Sequence, residues 1–274
     1  MLTIPSSLKN ARIVVSNDDG VDADGIKVLE RVARTFSDDV WVVAPDRQHS
    51  GAGHSLSLHA PIHYKQLEEK RFSTSGTPTD SVLLAVLEIL PKDKPISLVL
   101  SGINQGMNIA EDVTYSGTIA AAMEGTLLDI PSIAFSQSYR SDTGEIHWDT
   151  AEHYAEKVIA SLLGLSIPKQ TLISVNFPNV SKGDVAGISL ATQGRRSIID
   201  NLTRRTDPKG NPYVWVGGVG FKDEQGHEGS DLELLKANHV TVTPLQLDLT
   251  NYNFMSQMAA HMDESAEKTL ERAG

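Results

Sequence analysis

The sequence has no cysteine among its 274 residues. Disulfide bonds, thiolate metal sites and cysteine nucleophiles are therefore excluded together, and this composition fits an enzyme of the cytosol. Long apolar runs are also missing, because no stretch approaches the roughly 20 apolar residues of a membrane span. The segment from Met1 to Lys9 has neither the apolar core nor the cleavage pattern of a signal peptide. We therefore expect a cytoplasmic protein without membrane contact.

Positive charge is scarce as well. The chain has 24 lysines and arginines against 35 aspartates and glutamates, a formal net charge of -11. Because duplex nucleic acids are bound by clustered basic side chains, we predict no partner of that kind. A locally basic segment, containing Arg195, Arg196, Arg204 and Arg205, is interpreted as a solvated loop. A small anionic substrate remains compatible with this charge, because a bound metal ion would dominate the field around it.

Apolar, β-branched runs alternate with helical patterns through the first part of the chain. The strands predicted from these runs are Arg12 to Ser16, Asp39 to Pro45, Pro95 to Leu100, Ile130 to Phe135 and Leu172 to Val175. After the first of them, Ile26, Leu29 and Val32 recur at the spacing of one helix face. This alternation predicts an α/β fold with a doubly wound, mostly parallel sheet.

The pattern changes from Phe177 onward, where glycine, proline and asparagine separate short alternating runs. The runs Tyr213 to Gly217 and Val240 to Thr243 predict antiparallel hairpins outside the parallel core. The final segment, Asn251 to Gly274, is helical in composition, and its apolar stripe is interpreted as a packing surface. The members of this stripe are Phe254, Met255, Met258 and Met262. Projecting hairpins and a terminal helix are suited to subunit contact, so we predict a homo-oligomer.

Two neighbouring carboxylates, Asp18 and Asp19, come directly after the first predicted strand. Ligands bind at the carboxyl ends of parallel strands, where a following helix points free N–H groups into the crevice. Adjacent carboxylates repel each other unless a cation or a proton intervenes. The alternative is that Asn17 to Gly20 is only a hairpin turn, but a helical pattern follows it in place of a second strand.

Two further loops are expected at the same edge of the sheet, and both carry oxygen ligands. Ser50 follows the second strand, and Asn104 and Asn108 follow the third. Oxygen ligands with two negative charges and no sulfur favour Mg²⁺ or Mn²⁺ over Zn²⁺. The nearby histidines do not have the spacing of a zinc signature or of one helix or strand face. These histidines are His49, His54, His59 and His63.

A third feature, Ser116-Gly117-Thr118, precedes the predicted helix Ile119 to Leu128. Its backbone N–H groups and two hydroxyls form a candidate cradle for a phosphate. Serine and threonine are also ordinary helix caps. These residues alone therefore leave both interpretations open.

Four spaced motifs, taken in order, resemble the SurE family, the stationary-phase survival proteins that act as nucleotidases. They are Asn17-Asp18-Asp19-Gly20, Val43 to Arg47 with Ser50-Gly51, Ser101 to Asn104 with Gly106 and Asn108, and Tyr115 to Thr118 with Ala120 to Gly125. The resemblance continues at Gly229 to Asp231 and Thr243 to Gln246. It therefore covers nearly the whole chain.

The resemblance implies a three-layer, Rossmann-like catalytic core at residues 1–176. Residues 177–274 would form a hairpin and helix extension, continuous with the core and used in subunit contact within a dimer or tetramer. It further implies a phosphomonoesterase that uses one Mg²⁺ or Mn²⁺ per subunit. The substrates would be nucleoside 5′- and 3′-monophosphates, with short polyphosphate as a further substrate in some members.

The resemblance also implies roles for individual residues. By matching positions, the metal ligands would be Asp18, Asp19, Ser50 and Asn104, and the phosphate would lie at Asn108, Ser116, Gly117 and Thr118. Asp18 or Asp19 would orient the attacking water or accept its proton. A covalent aspartyl-phosphate is less favoured, because a carboxylate held on a metal is a poorer nucleophile. Two positions are atypical of the family: Asp24, where proline is frequent, and Gln105, where a smaller residue is frequent.

Two other classes of function are weighed against the hydrolase. The first is a nucleotide-binding module that senses its ligand without catalysis. The second is a Rossmann-type oxidoreductase. It is disfavoured because the turn after the first strand reads Asn-Asp-Asp-Gly-Val-Asp and lacks the glycine fingerprint of dinucleotide sites.

Overall fold

The computed structural model describes residues 1–139, 143–199, 202–216 and 220–273. Its helices are α1 (Asp24–Phe36), α2 (Pro78–Leu84), α3 (Gly117–Leu127), α4 (Trp148–Leu162), α5 (Asp231–Lys236) and α6 (Tyr252–Ala273). A π-helical turn, Ala85–Ile89, extends α2, and a 3-10 helix, Ala110–Thr114, precedes α3. None of the helices in these ranges is both long enough and apolar enough to cross a membrane.

Strands supply the rest of the regular structure. They are β1 (Leu2–Thr3), β2 (Arg12–Ser16), β3 (Asp39–Pro45), β4 (Tyr64–Glu68), β5 (Arg71–Thr74), β6 (Ile96–Gln105), β7 (Ser132–Gln137), β8 (Ser166–Ile167), β9 (Thr171–Phe177), β10 (Gly187–Leu190), β11 (Arg195–Ile199), β12 (Leu202–Thr206), β13 (Pro212–Val216), β14 (Gly220–Gln225) and β15 (His239–Gln246).

A nine-stranded sheet forms the centre of the molecule, in the order β10-β15-β9-β7-β6-β2-β3-β5-β4. The strands from β9 to β5 in this order run parallel. Antiparallel pairing occurs where β15 joins β9 and where β4 joins β5. The predicted α/β fold with a mostly parallel sheet is therefore confirmed.

Alternate residues of the central strands face two different helical layers. Ile13 and Val15 of β2 pack in a core that includes residues of α1 and α4. Val14, between them, packs in a second core with Val82 of α2 and Ala121 of α3. Because both faces of the sheet are covered, β2 is buried along its whole length. The fold thus has three layers, with the carboxyl ends of β2, β3 and β6 at one edge.

The prediction of hairpins outside the core is confirmed for one run and wrong for the other. Pro212–Val216 pairs with Leu202–Thr206 in a separate two-stranded sheet, and Gly217 lies outside the described residues. Val240 to Thr243, in contrast, belongs to β15 inside the central sheet. The alternation of valine and threonine suggested one solvated face, but Thr241 and Thr243 are buried along with the valines. Packing from the neighbouring strands determines the position of this segment.

The terminal segment forms α6 as predicted, and Gly274 lies outside the described residues. The side chains of its apolar stripe are about half exposed in the single chain. The packing surface expected there is therefore not covered within one copy of the described chain. Its use in subunit contact stays a prediction.

Candidate active site

Asp18 and Asp19 lie at the carboxyl end of β2, in a turn that leads into α1. The Asn17 side chain closes this turn: its amide donates to the Gly20 carbonyl at 2.9 Å, and its oxygen accepts the Gly20 N–H at 3.2 Å. The next strand, β3, runs parallel to β2. The interpretation of Asn17 to Gly20 as a plain hairpin turn is therefore excluded.

Asp18 is packed against the first turn of α3. The Thr118 hydroxyl donates a hydrogen bond to its carboxylate. Gly117 lies so close that a Cβ atom there would be 2.6 Å from the Asp18 Cβ and 2.9 Å from Oδ2. Only glycine leaves room for this approach, so the motif around position 117 brings the positive end of α3 onto a carboxylate.

The environment of Asp18 resists ionisation. Only 4% of the residue is exposed. Burial raises the pKa of its carboxyl to about 7, and the negative charge of Asp19 adds to this effect, whereas the Thr118 hydrogen bond opposes it. Burial also raises the pKa of Asp19. No basic side chain of the described residues contributes to either shift. The pair is thus a largely buried acidic site, and none of the described side chains neutralises it with a positive charge.

Asp19 is held by the two loops that follow β3 and β6. The Gln105 backbone N–H donates to Asp19 Oδ2 at 3.0 Å. Gln48 Nε2 lies 3.4 Å from Asp19 Oδ1 and 2.9 Å from the Ser50 hydroxyl. One amide group therefore joins Asp19 to Ser50, which supports the expectation that the loops meet at one edge of the sheet.

Asn108 is held by a polar network that sequence analysis did not identify. Asn176, at the end of β9, accepts the Asn108 N–H at 2.8 Å and donates to the Asn108 carbonyl at 3.1 Å. The Asn108 side-chain amide donates to the Ser136 hydroxyl at 2.8 Å. Asn176 and Ser136 are almost fully buried. Their hydrogen bonds therefore serve to position Asn108 and are not available to a ligand in the cleft.

Five of the eight predicted site residues border an open cleft of about 420 Å³. From the predicted set, the cleft is lined by Asp18, Ser50, Asn104, Asn108 and Ser116. Larger side chains complete its wall, namely Met107, Asp112, Tyr115, Tyr139 and Arg196. Asp19 lies at the side of this cleft, where it lines a neighbouring acidic pocket with Asp22 and Gln48. The structure therefore brings the predicted loops together around one concavity.

The sequence left two roles open for Ser116 to Thr118, a helix cap and a cradle for a phosphate, and the structure is compatible with both. The Ser116 hydroxyl accepts the Ile119 N–H at 3.1 Å, so it caps α3. It also lines the cleft. Thr118 is fully buried, and its hydroxyl contacts Asp18. Of the two hydroxyls expected at a phosphate, one faces the cleft and the other orients a carboxylate.

The sequence suggested that Arg196 lies in a solvated loop, and the structure shows that this is wrong. Arg196 belongs to β11 and is 4% exposed. Its guanidinium forms an ion pair with Asp112 at 2.9 Å, and its backbone N–H donates to Glu111 at 2.6 Å. Acidic partners more than eighty residues away bury this arginine, and no local pattern reveals them. A segment beyond Phe177 therefore contributes to the wall of the cleft.

The donor set fits a hard divalent cation. Asp18, Asp19, Ser50 and Asn104 offer only oxygen atoms and two negative charges to such an ion, apart from the amide nitrogen of Asn104. In the residues that the structure describes, no cluster of three or more histidine, cysteine, aspartate or glutamate side chains is arranged to hold a metal. A cation at Asp18 and Asp19 would offset the buried charge that the protein itself leaves uncompensated.

Comparisons with known proteins find similar sequences and a similar structure over most of the chain. The sequence profile described as "Survival protein SurE" matches residues 13–200. A protein called 5′-nucleotidase SurE from Paramagnetospirillum magneticum is 50% identical over 254 residues, which cover 93% of this chain and 95% of the relative. One of the same name from Rhodospirillum rubrum is 48% identical and covers 90% of this chain and 94% of its own. The crystal structure of the SurE protein from Aquifex aeolicus superimposes with a TM-score of 0.79 at 37% identity, covering 92% of this chain and 99% of the other.

Proposed function

The chain belongs to the SurE family, and from this premise we propose that it is a metal-dependent phosphomonoesterase that hydrolyses nucleoside 5′- and 3′-monophosphates. The names of its relatives support a nucleotidase. The observation that carries the metal dependence is the buried Asp18 carboxylate at the edge of the cleft. Burial raises its pKa to about 7, and no basic side chain among the described residues compensates for this effect. A carboxyl group with a strongly perturbed pKa at the edge of a cleft is typical of a functional site, and a bound cation would offset its charge.

One Mg²⁺ or Mn²⁺ per subunit would be held by Asp18, Asp19, Ser50 and Asn104. When bound, this ion supplies positive charge that offsets the charge on the transferring phosphoryl group, and it makes a water easier to deprotonate. The protein contributes orientation. Gln48 and the Gln105 N–H hold the Asp19 carboxylate, and Thr118 holds that of Asp18.

The phosphate would lie between Asn108 and the start of α3. The Asn108 backbone is fixed on both sides by Asn176, so its position is defined before the substrate arrives. The first turn of α3 adds the positive end of a helix dipole at Ser116 and Gly117. Asp18 or Asp19 would orient the attacking water or take its proton, with no covalent intermediate.

Two further properties are part of the proposal. Short polyphosphate is included as an additional substrate, because the cleft, with a volume of about 420 Å³, is larger than a single phosphate group requires. Residues 177–274 take part in subunit contact in a homodimer or homotetramer, which the exposed apolar stripe of α6 supports. Sedimentation as a monomer at micromolar concentration would contradict the second point.

The test is a panel of nucleoside 5′- and 3′-monophosphates and tripolyphosphate, assayed for phosphate release with Mg²⁺, Mn²⁺ or EDTA. We expect release from the monophosphates with either cation and none with EDTA. Asp19→Asn should abolish this activity while the circular dichroism spectrum stays unchanged. Asp38→Asn, which removes an exposed carboxylate outside both pockets, is the matched control. Binding of AMP without phosphate release under all conditions would favour the sensing module.

A further inference from the structure

The wall of the active-site cleft includes large side chains that the proposed chemistry does not use. Met107, Tyr115 and Tyr139 line the cleft and are 37%, 55% and 45% exposed. Contact of aromatic and thioether groups with water is unfavourable in free energy. In a concave site, exposed groups of this kind indicate where the apolar part of a ligand binds. The cleft therefore has a polar region for an ion and a phosphate, and an aromatic region beside it.

The position of Tyr139 is defined by the loop that follows β6. Tyr139 comes two residues after the end of β7, and the Gly106 N–H donates to the Gln137 carbonyl at 2.9 Å. A Cβ atom built on Gly106 would lie 3.7 Å from Tyr139 Cε1 and 3.6 Å from Asn104 Nδ2. The tyrosine ring and the Asn104 amide thus flank the same point of the backbone.

The aromatic ring of Tyr139 therefore lies close to Asn104, a proposed metal ligand, with Gly106 between them. A nucleoside monophosphate has a matching arrangement, because its ribose separates the phosphate, which would lie at the ion, from a flat aromatic base, which would lie at the tyrosine ring. Every base has a π-face, so stacking on a tyrosine is tolerant of base identity. A phosphate ester without a base would leave the ring unused.

We propose that Tyr139 is the stacking platform for the base of the nucleotide substrate, and that it gives the site its preference for nucleotides over simpler phosphate esters. The proposal rests on the proposed function of the same cleft. Tyr139 is a binding residue, and it touches neither the ion nor the scissile bond. Its loss should therefore change KM much more than kcat.

The experiment compares AMP with ribose 5-phosphate, which has the same phosphate ester and sugar but no base, in the presence of Mn²⁺. We expect Tyr139→Ala to raise KM for AMP about tenfold, the lower part of the range for stacking because the ring is partly solvated. KM for ribose 5-phosphate and kcat for both esters should change less than twofold. Tyr139→Phe should behave as the wild type, because it keeps the ring.

Tyr64→Ala is the matched control, because Tyr64 is 47% exposed on the edge strand β4, outside the cleft. It should leave both KM values unchanged. An equal rise in KM for both esters in Tyr139→Ala, or no rise for AMP, overturns the proposal.

Failure of the proposed function would look different, since wild-type protein with Mn²⁺ would then hydrolyse neither ester. Calorimetric titration would still test Tyr139 in that case, and also if Tyr139→Ala does not fold. Wild-type protein should bind AMP about tenfold more tightly than ribose 5-phosphate, and Tyr139→Phe should keep this ratio. Equal affinities of wild-type protein for the two compounds would refute the stacking role.

Discussion

Replacement of Asp18 by asparagine should stabilise the metal-free protein while it removes activity. The pKa of Asp18 is about 7, against 3.8 for an ordinary aspartate. This difference corresponds to about 4 kcal/mol of unfavourable free energy in the ionised form. Water entering the open cleft recovers part of it, so we expect Asp18→Asn to raise the free energy of unfolding by about 2–4 kcal/mol at pH 8.

The raised pKa of Asp18 also determines how the difference in unfolding free energy between wild type and Asp18→Asn changes with pH. Well below the ordinary pKa of 3.8, Asp18 is protonated in both the folded and the unfolded chain and contributes no difference. Between pH 4 and pH 7 the unfolded chain releases the proton and the folded chain keeps it, so the metal-free wild type loses stability as the pH rises. Asparagine cannot titrate, and the stability gained by the variant should therefore shrink towards zero at pH 4.

The assay is urea unfolding of wild type and Asp18→Asn in EDTA at pH 4 and pH 8, with Asp22→Asn as the exposed control. Addition of Mn²⁺ at pH 8 should stabilise the wild type and leave Asp18→Asn unchanged. A variant that is no more stable than the wild type at pH 8, or whose gain is the same at both pH values, would refute the reasoning about this carboxylate.

Two further substitutions test the groups that position the site. Asn176→Ala removes both hydrogen bonds to the Asn108 backbone; we expect about 1–3 kcal/mol less stability in urea and at least a tenfold lower kcat/KM for AMP, and unchanged kinetics would contradict the positioning role. Gly117→Ala places a Cβ 2.6 Å from the Asp18 Cβ, so Mn²⁺ affinity measured by calorimetry should fall at least tenfold. The control is Gly125→Ala, in the same helix as Gly117, whose Cβ would lie 2.5 Å from the hydroxyl of Ser132 in β7. It should lower the melting temperature and leave Mn²⁺ affinity unchanged.

Local patterns were sufficient for the part of the fold that holds the carboxylates. The apolar run before Asp18 and the helical spacing after it predicted β2 and α1, because each pattern is specified by neighbouring residues. The rule that ligands bind at the carboxyl ends of parallel strands then placed Asp18, Ser50 and Asn104 at one edge, and all three line one cleft.

The remaining features depend on partners that are distant in sequence. Asn176 and Asn108 are hydrogen-bonded although 68 positions separate them in the sequence, and the residues around each of them give no sign of this contact. Arg196 was expected in solvent because its own neighbours are polar, yet Asp112 buries it from 84 residues away. β15 has the alternation of a half-exposed strand, but it lies inside the central sheet between β10 and β9, where Val240 and Val242 pack in the main core and Thr241 and Thr243 are buried as well. Tertiary contacts outweigh local preference in each of these cases.

The central claim is that Asp18 and Asp19 hold one divalent cation beside Ser50 and Asn104. Diffraction from crystals soaked in MnCl₂, recorded near the manganese absorption edge, tests it most directly. The account predicts one anomalous peak per subunit within coordination distance of both carboxylates, and its loss in Asp18→Asn crystals. A map without a peak at this pair, in crystals of protein that still hydrolyses AMP, would contradict it.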